Sequence, residues 1–131
     1  MEENTENNNT IEIYKICLVG ESGVGKTCII DRFVKDTFRE DEPTTVSPSY
    51  SEKILKFDEY KGKTVKFHIW DTAGQEKFRS VGKIFYNDAK AAILVCDITN
   101  KKSFDEIKKY WYEDIKTNTP KNTNKYYFLL I

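Results

Sequence analysis

The chain has 131 residues, of which 39% are apolar and 32% charged, with 21 basic and 21 acidic side chains. This length fits one domain with one core, and the balanced charge excludes a net field that would favour nucleic acid or an anionic membrane. No run approaches the roughly 18 to 20 apolar residues of a membrane span, and no cysteine near the C-terminus could accept a prenyl group. The three cysteines are odd in number and lie in apolar runs, which indicates reduced thiols. We therefore expect a cytoplasmic protein with no membrane anchor in this chain.

The N-terminal part of the chain changes character near residue 10. The stretch "MEENTENNNT" is polar and Asn-rich, which predicts a disordered leader over 1–10 and a folded domain over 11–131. The apolar pattern from Ile11 to Val19 predicts a strand that is buried on both faces. Apolar residues in "GKTCIIDRFVKD" then recur at helical spacing, and "FREDEPTTVSPSY" predicts a loop.

The rest of the chain alternates between strand and helix patterns. Strands are predicted at about 51–57 and 64–70, joined as a hairpin through "DEYKG". A short helix around 83–89 precedes the strand pattern "AAILVCD". The capping-box pattern "SFDE" and the apolar spacing after it predict a helix over 103–117, and "YYFLLI" predicts a last strand. This alternation predicts a mostly parallel α/β sheet with helices on both faces.

The stretch "GESGVGKT" matches the pattern GxxxxGK(S/T) at Gly20, Gly25, Lys26 and Thr27. Its glycines, between a predicted strand and a predicted helix, let successive backbone N–H groups turn inward and form an anion site with the helix N-terminus. Lys26 is then predicted to reach the outer phosphates, and Thr27 to ligate Mg²⁺. The alternative is a flexible surface turn. The pattern favours a site for a di- or triphosphate.

A second motif, "WDTAGQE", ends the second strand of the hairpin. Asp71 lies where a carboxylate can meet a metal beside the phosphates, Gly74 could offer a backbone N–H to the terminal phosphate, and Gln75 could orient an attacking water. In the preceding loop, Thr45, or alternatively Thr44, is predicted to add a hydroxyl to the metal while a γ-phosphate is present. The predicted catalytic residues are Gln75 and Lys26, and the predicted metal ligands are Thr27, Thr45 and Asp71.

Together these segments resemble the Ras superfamily of small GTPases, and most closely its Rab branch. The resemblance runs from about residue 13 to 131 and is carried by "GESGVGKT", "RFVKDTF", "FHIWDTAGQEKFRS" and "ILVCDIT". It implies a P-loop NTPase fold: a small G domain of three α/β/α layers around a mostly parallel sheet. It also implies a GTP/GDP switch in vesicle trafficking that uses Mg²⁺. Hydrolysis should be slow, because no arginine is evidently placed on the γ-phosphate.

The resemblance also implies roles for individual residues. Phe38 would pack against guanine, and Tyr50, Trp70 and Phe85 would relay the nucleotide state to effectors, although ordinary core packing is the alternative for all three, above all for Trp70 and Phe85. Exchange factors and GTPase-activating proteins would be further partners. The residues implied to bind the nucleotide are Gly20, Ser22, Gly23, Val24, Gly25, Lys26, Thr27, Cys28, Phe38, Thr45, Asp71 and Gly74.

The chain also departs from the Rab pattern. "TVSPSY" stands where Rab proteins usually have "TIG", with Ser47 for the glycine followed by Pro48, and "FYNDAKA" replaces a tyrosine-tyrosine-arginine stretch. The guanine-reading Asn-Lys-x-Asp motif that would follow "YYFLLI" is missing, so we expect a partial, C-terminally truncated G domain. Membrane attachment would then need a missing lipidated tail or a partner. Two alternatives are a non-enzymatic remnant acting at most as a binding module, and a P-loop nucleotide hydrolase of looser base specificity.

Overall fold

The structure is a computed structural model that describes residues 10–43, 45, 49–72, 86–119 and 127–128. The predicted leader, apart from Thr10, lies outside these ranges, as do residues 83–85 of the predicted helix at 83–89. The described part of that predicted helix, residues 86–89, forms a short turn in which the Ala89 N–H donates to the Tyr86 carbonyl at 3.2 Å, so the predicted helix is not found there. Four predicted site residues also lie outside them: Thr44, Gly74, Gln75 and Phe85.

Within these ranges one sheet has five strands, in the order β2-β3-β1-β4-β5. Strand β2 is antiparallel to β3, and the other neighbouring pairs are parallel. The mostly parallel sheet and the hairpin of β2 and β3 are thereby confirmed. The strands are β1 (Ile11–Val19), β2 (Ser49–Phe57), β3 (Lys63–Asp71), β4 (Ala91–Leu94) and β5 (Tyr127–Phe128).

Helix α1 (Lys26–Lys35) follows the glycine-rich turn, as predicted. Near the other end of the chain, α2 (Lys101–Glu106), a π-helical turn (Ile107–Trp111) and α3 (Tyr112–Asn118) follow one another without a break. We call this run, residues 101–118, the long helix. None of the helices in the described ranges is long and apolar enough to cross a membrane.

The predicted helix start at Ser103 is wrong, because the long helix begins two residues earlier, after Asn100. The Ser103 hydroxyl donates to the Asn100 carbonyl at 2.7 Å and accepts the Asp97 N–H at 2.9 Å. Ser103 therefore closes the turn that leads into the helix from inside its first turn, rather than capping it.

Two apolar cores lie on opposite faces of the sheet. Cys17 and Val19 of β1 belong to the core that includes Ile107, Trp111 and Ile115 of the long helix. Leu18, between them in sequence, packs in the other core with Ile30 of α1, because successive strand residues point to opposite faces. This arrangement confirms the three-layer α/β/α fold.

The expectation that β1 is buried on both faces holds only for its last residues. Cys17, Leu18 and Val19 are buried, whereas Ile11 and Ile13 are 55% and 53% exposed. Helix α1, at about 1.5 Å per residue, is roughly half as long as this strand, at about 3.3 Å per residue, so it cannot cover the whole strand. Burial is thus concentrated at the carboxyl edge of the sheet, where the glycine-rich turn lies.

Candidate nucleotide site

The turn between β1 and α1, residues 20–25, needs glycine at two positions for different reasons: Gly20 has no space for a side chain, and Gly25 has a positive φ. A Cβ on Gly20 would lie 2.2 Å from the carbonyl oxygen of Val95, so β1 and the residue after β4 can approach only without a side chain there. Gly25 precedes α1 with φ of +101°, a conformation that L side chains rarely adopt, and its carbonyl accepts the first helical hydrogen bond, from Ile29 at 3.0 Å. The two ends of the motif are therefore fixed by packing and by backbone conformation.

Lys26 is the first residue of α1, and its side chain is only 5% exposed. The ammonium group donates hydrogen bonds to the carbonyls of Gly20, at 2.9 Å, and Glu21, at 2.8 Å. Burial lowers the pKa of Lys26 to about 8, and the carboxylates of Asp71 and Glu21 oppose this shift. A buried cation held by two carbonyls is well placed to attract an anion to this turn.

Thr27, Thr45 and Asp71 meet beside the turn, although they come from three separate parts of the chain. The Thr27 hydroxyl donates a short hydrogen bond to Asp71 Oδ2, and its oxygen lies 2.8 Å from that of Thr45. Asp71 ends β3 and is 2% exposed. The structure thus brings together all three predicted metal ligands.

The carboxylate of Asp71 fits a cation. Burial raises its pKa, because the ionised form loses solvation, and the hydrogen bond from Thr27 opposes the shift. Its Oδ1 atom is buried and has no hydrogen-bond partner among the described residues. One such carboxylate and two hydroxyls are the hard oxygen ligands that Mg²⁺ takes, together with water and substrate phosphates.

A cleft opens over this cluster. Pro43 and two carboxylates that were not predicted, Glu40 and Glu42, line it together with residues of the glycine-rich turn. Val24 instead packs against the core that contains Leu18. The predicted residues that line the cleft are Ser22, Gly23, Gly25, Lys26, Thr27, Cys28 and Thr45.

Phe38, the predicted guanine contact, lies in a neighbouring apolar groove. Its ring is exposed, and the groove is also lined by Ile29, Arg32 and Phe33. Cys28 lines both the groove and the cleft. The groove therefore adjoins the cleft at Cys28.

Residues 15–130 match the family model of Roc, described as "Ras of Complex, Roc, domain of DAPkinase". The chain belongs to the Roc family. This match confirms an α/β P-loop GTPase fold and identifies a Ras-like, GTP-binding switch domain with general GTP hydrolase activity. It covers the glycine-rich turn, Thr45 and Asp71. The match supports membership of the Ras superfamily, but it does not distinguish the Rab branch within that superfamily.

Two of the three predicted effector residues lie side by side on the sheet of this Roc-family chain. Tyr50 and Trp70 are paired across β2 and β3, with ring centroids 5.0 Å apart. Tyr50 is 41% exposed, whereas Trp70 also packs against the core below it. Burial and then a hydrogen bond to Glu52 raise the pKa of Tyr50 to about 12, so the phenol stays protonated near neutral pH. The pair therefore presents a neutral aromatic surface.

Two polar contacts that were not predicted from the sequence hold the Roc site in place. The Thr72 hydroxyl donates to the Leu18 carbonyl at 2.7 Å and so fixes the end of β3 against β1. The indole N–H of Trp111 donates to Glu21 Oε1 at 2.9 Å. Glu21 and Trp111 are 90 residues apart, so no local pattern could have paired them.

Proposed function

We propose that this Roc-family domain is a Mg²⁺-dependent GTP/GDP switch whose nucleotide occupies the cleft above residues 20–27. One observation carries the proposal: the hydroxyls of Thr27 and Thr45 and the carboxylate of Asp71 converge next to the buried ammonium of Lys26. A Lys, two hydroxyls and one carboxylate are the groups that phosphoryl-transfer sites use to hold a Mg²⁺-bound triphosphate.

Each of these groups has a distinct role in the proposal. The backbone N–H groups of the glycine-rich turn and Lys26 bind the phosphates, since a helix N-terminus and an ammonium both favour negative charge. Thr27, Thr45 and Asp71 would hold the metal, and bound Mg²⁺ would neutralise charge that develops on the phosphate oxygens. The base would lie toward Cys28, where the cleft adjoins the groove that Phe38 lines.

The switch follows from the position of Thr45 in the segment between α1 and β2. Thr45 is next to Thr27 but belongs to no helix or strand. Loss of the γ-phosphate would remove the metal contact of Thr45 and release this segment, as in other order-to-disorder switches. In the same proposal Gly74 binds the γ-phosphate and Gln75 orients the attacking water, with slow hydrolysis that a GTPase-activating partner accelerates.

We place the domain, within the same proposal, in the Rab branch with a role in vesicle trafficking. The contact between Tyr50 and Trp70 supports an effector surface on β2 and β3, because the exposed Tyr50 ring lies against a partly buried Trp70, and both residue types are enriched at interaction sites. Exchange factors, GTPase-activating proteins and effectors would be its partners, with membrane contact supplied from outside these residues.

The test is nucleotide binding by the purified chain with a fluorescent methylanthraniloyl GDP, followed by competition with GTP, GDP and ATP. We expect GTP and GDP to displace the probe and ATP to compete at least about 100-fold more weakly. Gln75→Leu should bind nucleotide as the wild type does and lose most hydrolysis. Absence of binding would contradict the switch, and equal competition by ATP would favour a hydrolase of looser base specificity.

A further inference from the structure

Trp111 connects the long helix to the glycine-rich turn. Its ring is 1% exposed, and its indole N–H donates to the carboxylate of Glu21, the second residue of "GESGVGKT". The backbone carbonyl of the same Glu21 accepts a hydrogen bond from Lys26 Nζ at 2.8 Å. One residue therefore joins a buried aromatic group to the cation of the proposed phosphate site.

The long helix contains a π-helical turn that ends at Trp111. Ile107, Trp111 and Ile115 are all buried in one core although they follow one another at spacings of four. On a regular helix, at about 100° per residue, two such steps would turn the third side chain by roughly 80° away from the first. The wider π turn over Ile107–Trp111 counters this drift, and such turns are frequent at functional sites.

The hydrogen bond between Trp111 and Glu21 has a carboxylate oxygen as its acceptor. A hydrogen bond to an ionised carboxylate is roughly twice as strong as one between neutral groups. Its loss would leave a donor inside the core with one partner fewer, which costs more than the bond itself contributes. The geometry of the turn at Glu21, and with it the carbonyl that holds Lys26, thus depends on the indole.

We propose that Trp111 is a positioning residue for nucleotide binding, which acts through Glu21 on the phosphate-binding turn and Lys26. The inference rests on the proposed nucleotide-binding function. It makes the long helix a support of the phosphate-binding turn. Displacement of this helix would loosen the turn and increase the rate of nucleotide release.

The second contact of the long helix agrees with this role. Asp114, three residues after Trp111, accepts a 2.9 Å hydrogen bond from the Tyr86 hydroxyl. Tyr86 belongs to the same core as Trp111 and precedes β4. The helix is thus anchored independently of Glu21, so removal of the Glu21 contact should alter the turn without unfolding the helix.

The experiment measures the dissociation rate of methylanthraniloyl GDP in the presence of Mg²⁺. Trp111→Phe removes the N–H and keeps an aromatic ring, and Glu21→Ala removes the acceptor. Each should raise the dissociation rate about tenfold, and the double variant should be no faster than the faster single one, because both changes break the same bond. Glu21→Gln keeps an oxygen acceptor without the charge, so its rate should lie between those of the wild type and Glu21→Ala.

A matched control and a second measurement separate positioning from general damage. Tyr112→Phe changes the neighbouring, partly exposed ring on the same helix and should leave the rate unchanged. In a ¹H–¹⁵N spectrum of the nucleotide-free protein, Glu21→Ala should shift the indole resonance of Trp111 and leave that of Trp70 in place. This measurement also decides the case if Trp111→Phe fails to fold.

Three outcomes would overturn the inference. If the wild type binds GDP but Glu21→Ala releases it at the wild-type rate, or if the two single effects multiply in the double variant, Trp111 does not act through Glu21 and the proposed function stands. If the wild type binds no GDP at all, both the proposed function and this inference are contradicted.

Discussion

Tyr86 and Asp114 form a buried polar link between the chain before β4 and the long helix, with a hydrogen bond of 2.9 Å between the phenol and the carboxylate. Asn118 donates a second hydrogen bond to the same carboxylate, at 2.9 Å. Burial, reinforced by the charge of Asp114, raises the pKa of Tyr86 well above its usual range, so the phenol remains a donor at all physiological pH values.

This link predicts that Tyr86→Phe destabilises the domain. The variant keeps the ring but leaves the buried Asp114 carboxylate with one donor fewer, so the free energy of unfolding should fall by about 1 to 3 kcal/mol. Urea denaturation measures the loss, and Tyr112→Phe is the control, because Tyr112 is more exposed. Equal stability of the two variants would show that the hydroxyl of Tyr86 contributes nothing.

Gly20→Ala should lower the free energy of unfolding much more than Gly62→Ala, although both glycines have a positive φ. The added Cβ would lie 2.2 Å from the Val95 carbonyl, and neither backbone can move without separating β1 from β4. We expect a loss of roughly 4 kcal/mol or more, or failure to fold. At Gly62 a Cβ would meet only the flexible end of Lys56 at 3.5 Å, so Gly62→Ala should cost about 1 to 2 kcal/mol. Similar thermal midpoints for the two variants would contradict the close approach at Gly20.

The cysteines should differ in their reaction with a thiol reagent. Burial raises the pKa of Cys17 to about 12, and Cys96 is also buried, whereas Cys28 lines the cleft. Native protein should therefore react slowly at Cys28, and all three thiols should react after denaturation. Burial and the nearby Glu42 raise the pKa of Cys28 as well, so its rate should climb about tenfold per pH unit between pH 7 and 8.5.

Bound nucleotide should protect Cys28, because the same cleft would then be filled. Mass spectrometry identifies the labelled cysteine, and Cys28→Ser should abolish the native reaction. Labelling of Cys17 before Cys28 would contradict the difference in burial between the two thiols. Lack of protection by GDP, in a protein that binds GDP, would contradict the proposed position of the nucleotide.

Glu40 and Glu42 should weaken nucleotide binding when Mg²⁺ is absent. Both carboxylates line the cleft, and charges that are partly solvated contribute about 0.2 to 1 kcal/mol each. The double variant Glu40→Gln with Glu42→Gln should bind GDP about 2 to 10 times more tightly in EDTA, with a smaller gain when Mg²⁺ is present. Asp41→Asn removes a charge that lies between them in sequence and pairs with Arg39. An equal gain from Asp41→Asn would indicate a general charge effect.

Much of the site could be predicted from sequence because local spacing encodes it. The motif of Gly20 to Thr27 predicts its own strand, turn and helix, and an Asp that ends a neighbouring parallel strand must lie at the same edge of the sheet. Contacts that depend on distant packing could not be predicted in this way. The apolar character of Ile11 and Ile13 does not indicate which element covers them, and the pairing of Trp111 with Glu21 joins residues that are 90 positions apart.

The most direct test of the metal site is the effect of Mg²⁺ on the release of methylanthraniloyl GDP from the wild type, Asp71→Asn and the exposed control Asp58→Asn. We expect EDTA to speed release from the wild type and from Asp58→Asn by about tenfold or more. Asp71→Asn should release GDP rapidly whether Mg²⁺ is present or not. Release from the wild type that is independent of Mg²⁺, together with an Asp71→Asn variant that behaves like the wild type, would contradict the metal site formed by Thr27, Thr45 and Asp71.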